Sequence, residues 1–418
     1  MIYLIIGLIG MMYYRGKSSM SFILFTLMLV SAVSAFVVGR QHTFDVTVLG
    51  WTLFNSILLV ILFTSFGKYS DIKSNSFENI NTLKIKSAEK IVLIAGIIAI
   101  IISLYVLYNL NIMVSAGIIS AEAHKNGGEG TATLNKIVNN HWLLTITYLL
   151  SPTGYISLFF HFYYLLQKNY KKAIIHIFLS LNIVTVGMMG LSRSSTITYV
   201  LLYGSMFYFF RPLIDAKIKK KMYFISILFM IFIGGYLTLT TTTRFEDHSY
   251  FNITSKNKPI VNPHKNPVLY SVFDYSGQWQ EYAPKILDLY TPGDQFWGMY
   301  NSCGLAVQLT RYIYPRIDTE IDSKLERIMG FDRIMFHGVV ARLVYDFGIV
   351  GAILFIFVYA YIVKKLAPKA GILVAKKAIF YPVIIPFPLM FFCGNAFSGI
   401  ALNLAVIYCL LLSKYIKK

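Results

Sequence analysis

The feature that most constrains this chain is a series of apolar runs about as long as a bilayer is thick. A helix needs roughly 17–25 apolar residues to cross a hydrocarbon core of about 30 Å. Runs of this kind lie near residues 1–14, 20–39, 46–66, 91–108, 142–166, 173–191, 194–210, 222–240, 338–363, 378–393 and 396–413, which makes eleven expected spans. The 418 residues are 56% hydrophobic and only 14% charged, whereas a soluble domain carries about 25% charge. Disorder needs low hydrophobicity and high charge, so it is excluded as well. The expected fold class is therefore all-α, a polytopic transmembrane helical bundle. Helices 1–8 occupy residues 1–240, a large extracytoplasmic loop occupies 241–337, and helices 9–11 occupy 338–418.

A net charge of +19 would suggest nucleic acid in a soluble protein, but here its distribution has a different meaning. If the loops alternate, those at 15–19, 67–90, 167–172, 211–221 and 364–377 and the tail 414–418 together hold 23 Lys and Arg. Against them stand four acids, Asp71, Glu78, Glu89 and Asp215. That excess equals the whole net charge, while residues 241–337 carry ten basic and eleven acidic residues. By the positive-inside rule the first set is cytoplasmic, so the N-terminus is expected outside and the C-terminus inside. No nucleic-acid partner is expected. The first segment, MIYLIIGLIGMMYY, has no basic stretch before its apolar core and no small-residue cleavage site, so it reads as a retained anchor. Cys303, Cys393 and Cys409 are too widely spaced for a disulfide framework or a zinc site.

Two outer loops are long: 109–141, with GGEG at 127–130, and 241–337. A loop as long as the second usually has its own structure and a function. Its 255–267 part has three prolines and no apolar periodicity, and reads as a linker. From Leu269 to Leu289, aromatic and polar residues alternate as in an amphipathic helix lying on the membrane face.

Chemistry should sit where polar groups enter the membrane, because buried ions there are costly and persist mainly for function. Arg193, in GLSRSSTITYVLLYG, stands between two apolar runs with almost no loop. It either snorkels to the interface or clamps an anion together with the N–H groups that open the next helix. Arg244 follows four threonines and is a second candidate clamp, unless Glu246 and Asp247 simply pair with it. In FHGVVARLVYDFGIVGAILF, Arg342 and Asp346 are four residues apart on one helical face, and His337 opens the run. An imidazole with an ordinary pKa of about 6.5 is suited to accepting or donating a proton. The only acidic run resembling a metal pair is Asp318, Glu320 and Asp322; such loop runs are usually solvated, and no metal or cofactor is expected. Several arginines and a histidine at one membrane face, without a buried carboxylate pair at the midplane, suit a lipid-linked pyrophosphate better than an ion pathway.

These residues carry a resemblance. Ten residues lie between Arg193 and Gly204, and ten between Arg327 and Gly338; the segment YSGQWQEYAPKILDLYTPGDQFWG puts a Tyr-rich helix before a Gly-aromatic turn; and the His337 junction ends in G-x-x-G. In these respects the chain resembles the Wzy-type O-antigen or capsule repeat-unit polymerases, whose superfamily includes the O-antigen ligases. The resemblance implies a GT-C-like, metal-independent membrane glycosyltransferase in the bacterial cytoplasmic (inner) membrane. It would join undecaprenyl-pyrophosphate-linked repeat units at the outer face; direct attack by one acceptor hydroxyl with a single base implies inversion at the anomeric carbon. The implied catalytic residues are His337, Arg193 and Arg342, and the implied substrate contacts are Arg244, Asp346, Tyr345, Glu281 and Tyr275. Implied partners are the donor and acceptor lipid-linked glycans, membrane lipids and a chain-length regulator protein. Two alternatives stay open: an O-antigen ligase, and a flippase or transporter for the same lipid-linked glycan.

Overall fold

The computed structural model describes residues 1–40, 46–69, 72–76, 81–116, 141–189, 193–224, parts of 227–235, 259–261, 265–299, 302–314, 323–324, 337–369, 371–394 and 396–416. The main helices are α1 (Ile2–Tyr14), α2 (Ser19–Val37), α3 (Val46–Thr64), α4 (Thr82–Ser115), α5 (His141–Leu150), α6 (Thr153–Leu166) and α7 (Tyr170–Ser180). They continue as α8 (Asn182–Met189), α9 (Arg193–Phe210), α10 (Pro267–Gly277), α11 (Trp279–Leu289), α12 (Gly304–Ile313), α13 (Gly338–Leu366) and α14 (Ile400–Tyr415).

Among the described residues the structure is all-α apart from two three-residue strands. Among the described residues, five helical stretches are long and apolar enough to cross a membrane: Ser19–Val37, Val46–Thr64, Thr82–Met113, Tyr170–Met189 and Gly338–Leu366. Many of their exposed positions, such as Ile57, Ile101 and Val350, are apolar, as a lipid-facing surface requires. Two shorter apolar helices, Ile2–Tyr14 and Ile400–Tyr415, accompany them.

Other expected spans take different forms, for local reasons. The run 142–166 is two helices, broken at Ser151 and Pro152, where a ring replaces the N–H that a continuous helix would need. The run 378–393 is a chain of single turns (Ala375–Ala378, Tyr381–Ile384, Pro386–Leu389), because Pro382, Pro386 and Pro388 each remove a donor. The Ile384 carbonyl, freed by Pro388, accepts from the Tyr359 hydroxyl, and the Phe391 carbonyl accepts from the Val339 N–H at 2.8 Å. Conversely, the helix expected over 91–108 starts at Thr82, further back than hydropathy alone indicates. Its early charge Glu89 is accommodated by the Lys172 ammonium at 2.8 Å and by the Tyr164 hydroxyl.

The described parts of all six basic segments meet at one end of the bundle. Ser19 N–H donates to the Tyr69 carbonyl at 3.1 Å, and Tyr69 donates its hydroxyl to the Val363 carbonyl at 3.0 Å. Strand β1 (Ser74–Ser76) pairs in parallel with β2 (Ile372–Val374), and Asn81 N–H reaches the Ile416 carbonyl. Tyr170 donates to Asp215 at 2.9 Å, while Phe210 and Tyr69 both lie against Tyr381. The starts of α6, α9, α13 and α14 therefore point to the opposite end.

The segment expected to lie on the membrane face is instead inserted into the bundle. Trp279, Ala283, Ile286 and Leu287 follow helical spacing and are fully buried, with α11 held against α3 and α13. Trp279 donates its indole N–H to the Ser31 hydroxyl at 2.6 Å, and Ser31 in turn donates to the Ser276 carbonyl. Gly277 lets α10 cross α2 closely, since a Cβ there would meet the backbone of Ala35. A buried ion pair ties the same segment to the end of α2. Arg40 donates Nε–H to Asp274 at 2.8 Å, and its other nitrogens reach Tyr282 at 3.1 Å and Glu281 at 3.4 Å. Burial by itself would lower the Arg40 pKa, but Asp274, Tyr282 and Glu281 together outweigh it and hold the guanidinium charged. Removing one partner of such a pair leaves a buried charge exposed to an apolar surround. Asp274→Ala is therefore expected to cost about 3–5 kcal/mol. Lys168→Ala, which breaks an exposed pair with Asp215, should cost under about 1 kcal/mol. Unfolding of the detergent-solubilised variants by heat or denaturant measures the contrast.

Candidate functional site

A cavity of about 440 Å³ lies toward the end of the bundle opposite the basic segments. Its size falls within the roughly 300–1,000 Å³ typical of small-ligand sites. Tyr148, Ser151 and Tyr155 enter from the broken α5–α6 pair, and Ile183, Val186 and Gly187 from α8. Ser194, Ser195 and Thr198 come from the first turns of α9, and Arg342 from α13. The remaining wall is the proline-broken segment and the start of α14, including Pro386, Met390, Cys393, Gly394, Ser398 and Ile400.

The polar side of this cavity suits an anion. The first turn of an α-helix has N–H groups without intrahelical partners and the positive end of the helix dipole. In α9 that turn carries two serines into the wall. Gly187 allows α8 to approach so closely that a Cβ there would overlap Ser195. The Arg342 guanidinium lies against Gly394, where a Cβ would come within 2.6 Å of Cζ. Only a residue without a side chain at 394 leaves the guanidinium this place. The other side is apolar, with Ile183, Val186 and Met390.

Arg342 is positioned by both ends of its helical segment. At the start, Gly338 has φ +74° and sits against Trp279 and the Phe391 carbonyl. At the far end, α13 is broken at Gly348, with φ +75° and ψ 174°, a region open essentially to glycine alone. The break takes the Tyr345 and Asp346 carbonyls out of the helical ladder. They accept instead from the N–H groups of Phe296 at 2.9 Å and Gly298 at 3.3 Å.

The residues singled out from sequence are only partly brought together. Arg342 lines the cavity, and Arg193 is the first residue of α9, adjacent to Ser194 in the wall. His337 is 1% exposed, immediately before Gly338, and is not among the described residues of the wall. Asp346 is fully buried and accepts a 2.6 Å hydrogen bond from Ser302. Tyr345 is also buried; its hydroxyl donates to the Ile286 carbonyl at 2.9 Å. Glu281 accepts from Lys285 at 2.7 Å as well as from Arg40, and Tyr275 is half-buried on α10; neither belongs to the wall. Arg244, the acidic run Asp318, Glu320 and Asp322, and Arg327 lie outside the described residues.

Among the described residues, no three His, Cys, Asp or Glu side chains come together as a metal set. Sequence reasoning missed the Arg40–Asp274 pair and the contributions of Ser194, Ser195 and Gly394. The serine pair beside Arg193 was a usable signal; nothing in the chain around Gly394 announced its contact with Arg342. Comparison with known proteins brings no match: no family model, no curated protein and no solved structure is similar to the chain.

Because Gly348 holds a conformation that other residues reach only with strain, Gly348→Ala is expected to destabilise the protein by about 1–3 kcal/mol. It should also loosen the clasp between residues 296–298 and α13. Thermal unfolding in detergent reads the first effect, and faster hydrogen exchange at the Phe296 and Gly298 amides reads the second.

Proposed function

We propose that this chain is an integral-membrane glycosyltransferase that joins undecaprenyl-pyrophosphate-linked repeat units into an O-antigen or capsule-type polysaccharide. The observation that carries this reading is the cavity itself. In one space it combines a guanidinium, the serines of a helix start and an apolar flank, at the end of the bundle away from the cationic segments.

In a glycosyl transfer from a pyrophosphate lipid, an acceptor hydroxyl attacks the anomeric carbon and the bond to the pyrophosphate oxygen breaks. Negative charge grows on the leaving group as it departs. Arg342 and the N–H groups opening α9 are preorganised to stabilise that charge, and a low-dielectric wall strengthens their effect. Arg193, at the head of α9, and Arg244 would add further positive charge. Ile183, Val186 and Met390 give the lipid carrier an apolar surface. The proton of the acceptor hydroxyl would pass to His337. Since that imidazole is enclosed, the transfer requires the packing around it to open, whereas the anion grip requires no rearrangement.

The cationic end belongs, on this reading, to the cytoplasm, and the cavity works toward the outer leaflet of the bacterial inner membrane, within a GT-C-like bundle of about eleven spans. A chain-length regulator would act on the product from outside the cavity.

Purified protein incubated with a single lipid-linked repeat unit is expected to produce a ladder of longer glycans. Arg342→Ala should lower chain extension by about 10²–10³-fold, as expected for losing one group that stabilises the leaving charge. Loss of a general base costs about 10²–10⁴-fold, so His337→Gln, which keeps much of the packing, should fall in that range. Both variants should elute as folded protein in detergent. A wild-type ladder from Arg342→Ala would remove the anion grip. A wild-type ladder from His337→Gln would place the base elsewhere and leave the grip standing.

A further inference from the structure

Several buried tyrosines use their hydroxyls inside the fold. Tyr3 accepts from the Asn55 amide at 2.8 Å, Tyr199 and Ser180 bond at 2.7 Å, and Tyr69 and Tyr381 donate to the Val363 and Leu366 carbonyls at 3.0 Å. Tyr155 is also buried, at 7% exposure, but its hydroxyl bonds to none of the described residues. Nor is that hydroxyl sealed off. Among the described residues, the enclosed side-chain atoms without a partner belong elsewhere, to Ser157 and Thr196 for example. The Tyr155 hydroxyl therefore touches open space, and the space that Tyr155 borders is the cavity. A buried hydroxyl without a hydrogen bond costs free energy that a phenylalanine would not, and the same helix uses phenylalanine at 159, 160 and 162. Folding alone gives no reason for the hydroxyl.

The turn that carries Tyr155 is fixed from two sides. Pro152 breaks the apolar run so that α6 begins at Thr153, and the Tyr155 N–H closes the first turn onto the Pro152 carbonyl at 3.1 Å. From α8, Asn182 donates its side-chain amide to the Thr153 hydroxyl at 3.3 Å and to the Ser151 carbonyl at 3.5 Å. Gly154 sits so near α8 that a Cβ there would come within 2.8 Å of the Ile183 side chain. The phenol is thus held in the wall before any ligand arrives, in the same cavity as the Arg342 guanidinium and the serines that open α9. A guanidinium and a helix start offer positive charge and N–H donors, so the group they fit is an anionic hydrogen-bond acceptor. A phenol adds an O–H donor of the same sense, and its bond to an ionised acceptor is stronger than one between neutral groups.

The geometry points to Tyr155 as a ligand contact that donates its hydroxyl to an oxygen of the pyrophosphate held by Arg342 and the start of α9. This assignment rests on the glycosyltransferase reading and adds to its anion grip a donor from the wall formed by α6.

The test uses the full chain in lipid nanodiscs with two probes, undecaprenyl pyrophosphate and undecaprenol, which share the lipid but not the anion. Tyr155→Phe keeps the ring and removes only the hydroxyl. It is expected to weaken binding of undecaprenyl pyrophosphate by roughly ten- to hundred-fold, the size of one hydrogen bond to a charged group, and to leave undecaprenol binding unchanged. Its melting temperature should equal or exceed that of the wild type, because no bond within the fold is lost. Tyr359→Phe, which strips a partner from the Ile384 carbonyl, should melt earlier. Unchanged affinity for the pyrophosphate lipid would overturn the contact. Equal weakening toward both lipids would overturn it in favour of a contact with the carrier chain, and earlier melting of Tyr155→Phe in favour of a structural role. If the wild type binds the pyrophosphate lipid no better than undecaprenol, the glycosyltransferase reading itself falls and the contact falls with it.

Discussion

Backbone polar groups inside an apolar bundle must be paired within the protein, because no water is at hand and each unmet group costs several kcal/mol in hydrocarbon. Most of this chain meets that demand with unbroken helix. It departs from helix at Ser151–Pro152, at Gly348 and through the prolines at 382, 386 and 388, and the freed groups that can be followed have definite partners. Tyr359 serves Ile384, the amides of Phe296 and Gly298 serve α13, and Val339 serves Phe391. Irregular backbone at this depth is tolerated where it is buried in protein or lines a cavity. Two of the three breaks, the Ser151 junction and the proline-broken segment, contribute directly to the cavity wall. The third ends the short helical segment that carries Arg342.

Charge is divided between the two ends in a way that leaves the cavity dominated by few groups. At the cationic end, the carboxylates of Glu89 and Asp215 are bound to Lys172 and Lys168, and tyrosines complete their hydrogen bonds. Toward the other end, Arg40 is absorbed by Asp274 and Glu281 in fastening α10 and α11 to α2. Arg342 is deployed differently, on a cavity wall beside a helix start. In a low-dielectric setting one such guanidinium exerts a field that the many solvated lysines of the far end cannot.

Much of the architecture was legible from hydropathy, and its errors have identifiable causes. Where a run contains proline or a strategic glycine, as in 142–166, 338–363 and 378–393, the apolar count spans a break that backbone geometry imposes. Where a helix carries charges early, as α4 does at Lys84, Lys86 and Glu89, the count stops short, although Glu89 is paired with Lys172 from α7. The 269–289 segment was legible as amphipathic helix. Its apolar stripe at 279, 283, 286 and 287 does not reveal whether the complementary surface is lipid or protein, and the bundle supplies protein. The candidate site was legible in part. Arg342 lines the cavity and Arg193 opens the helix that contributes to it, while Asp346, Tyr345 and Glu281 drew notice for polarity that is used inside the fold.

The sequence by itself determined that this chain is built of apolar helices with its basic residues concentrated in alternate connections, because backbone pairing and charge placement depend on residues near one another in the chain. Which side chains share the cavity was decided only by the tertiary structure. Arg342 faces Ser194 and Ser195 across one space, and lies on Gly394, because three helix breaks and the insertion of α11 set the angles at which remote segments meet. Such angles come from packing many surfaces at once, and no local pattern of residues encodes them.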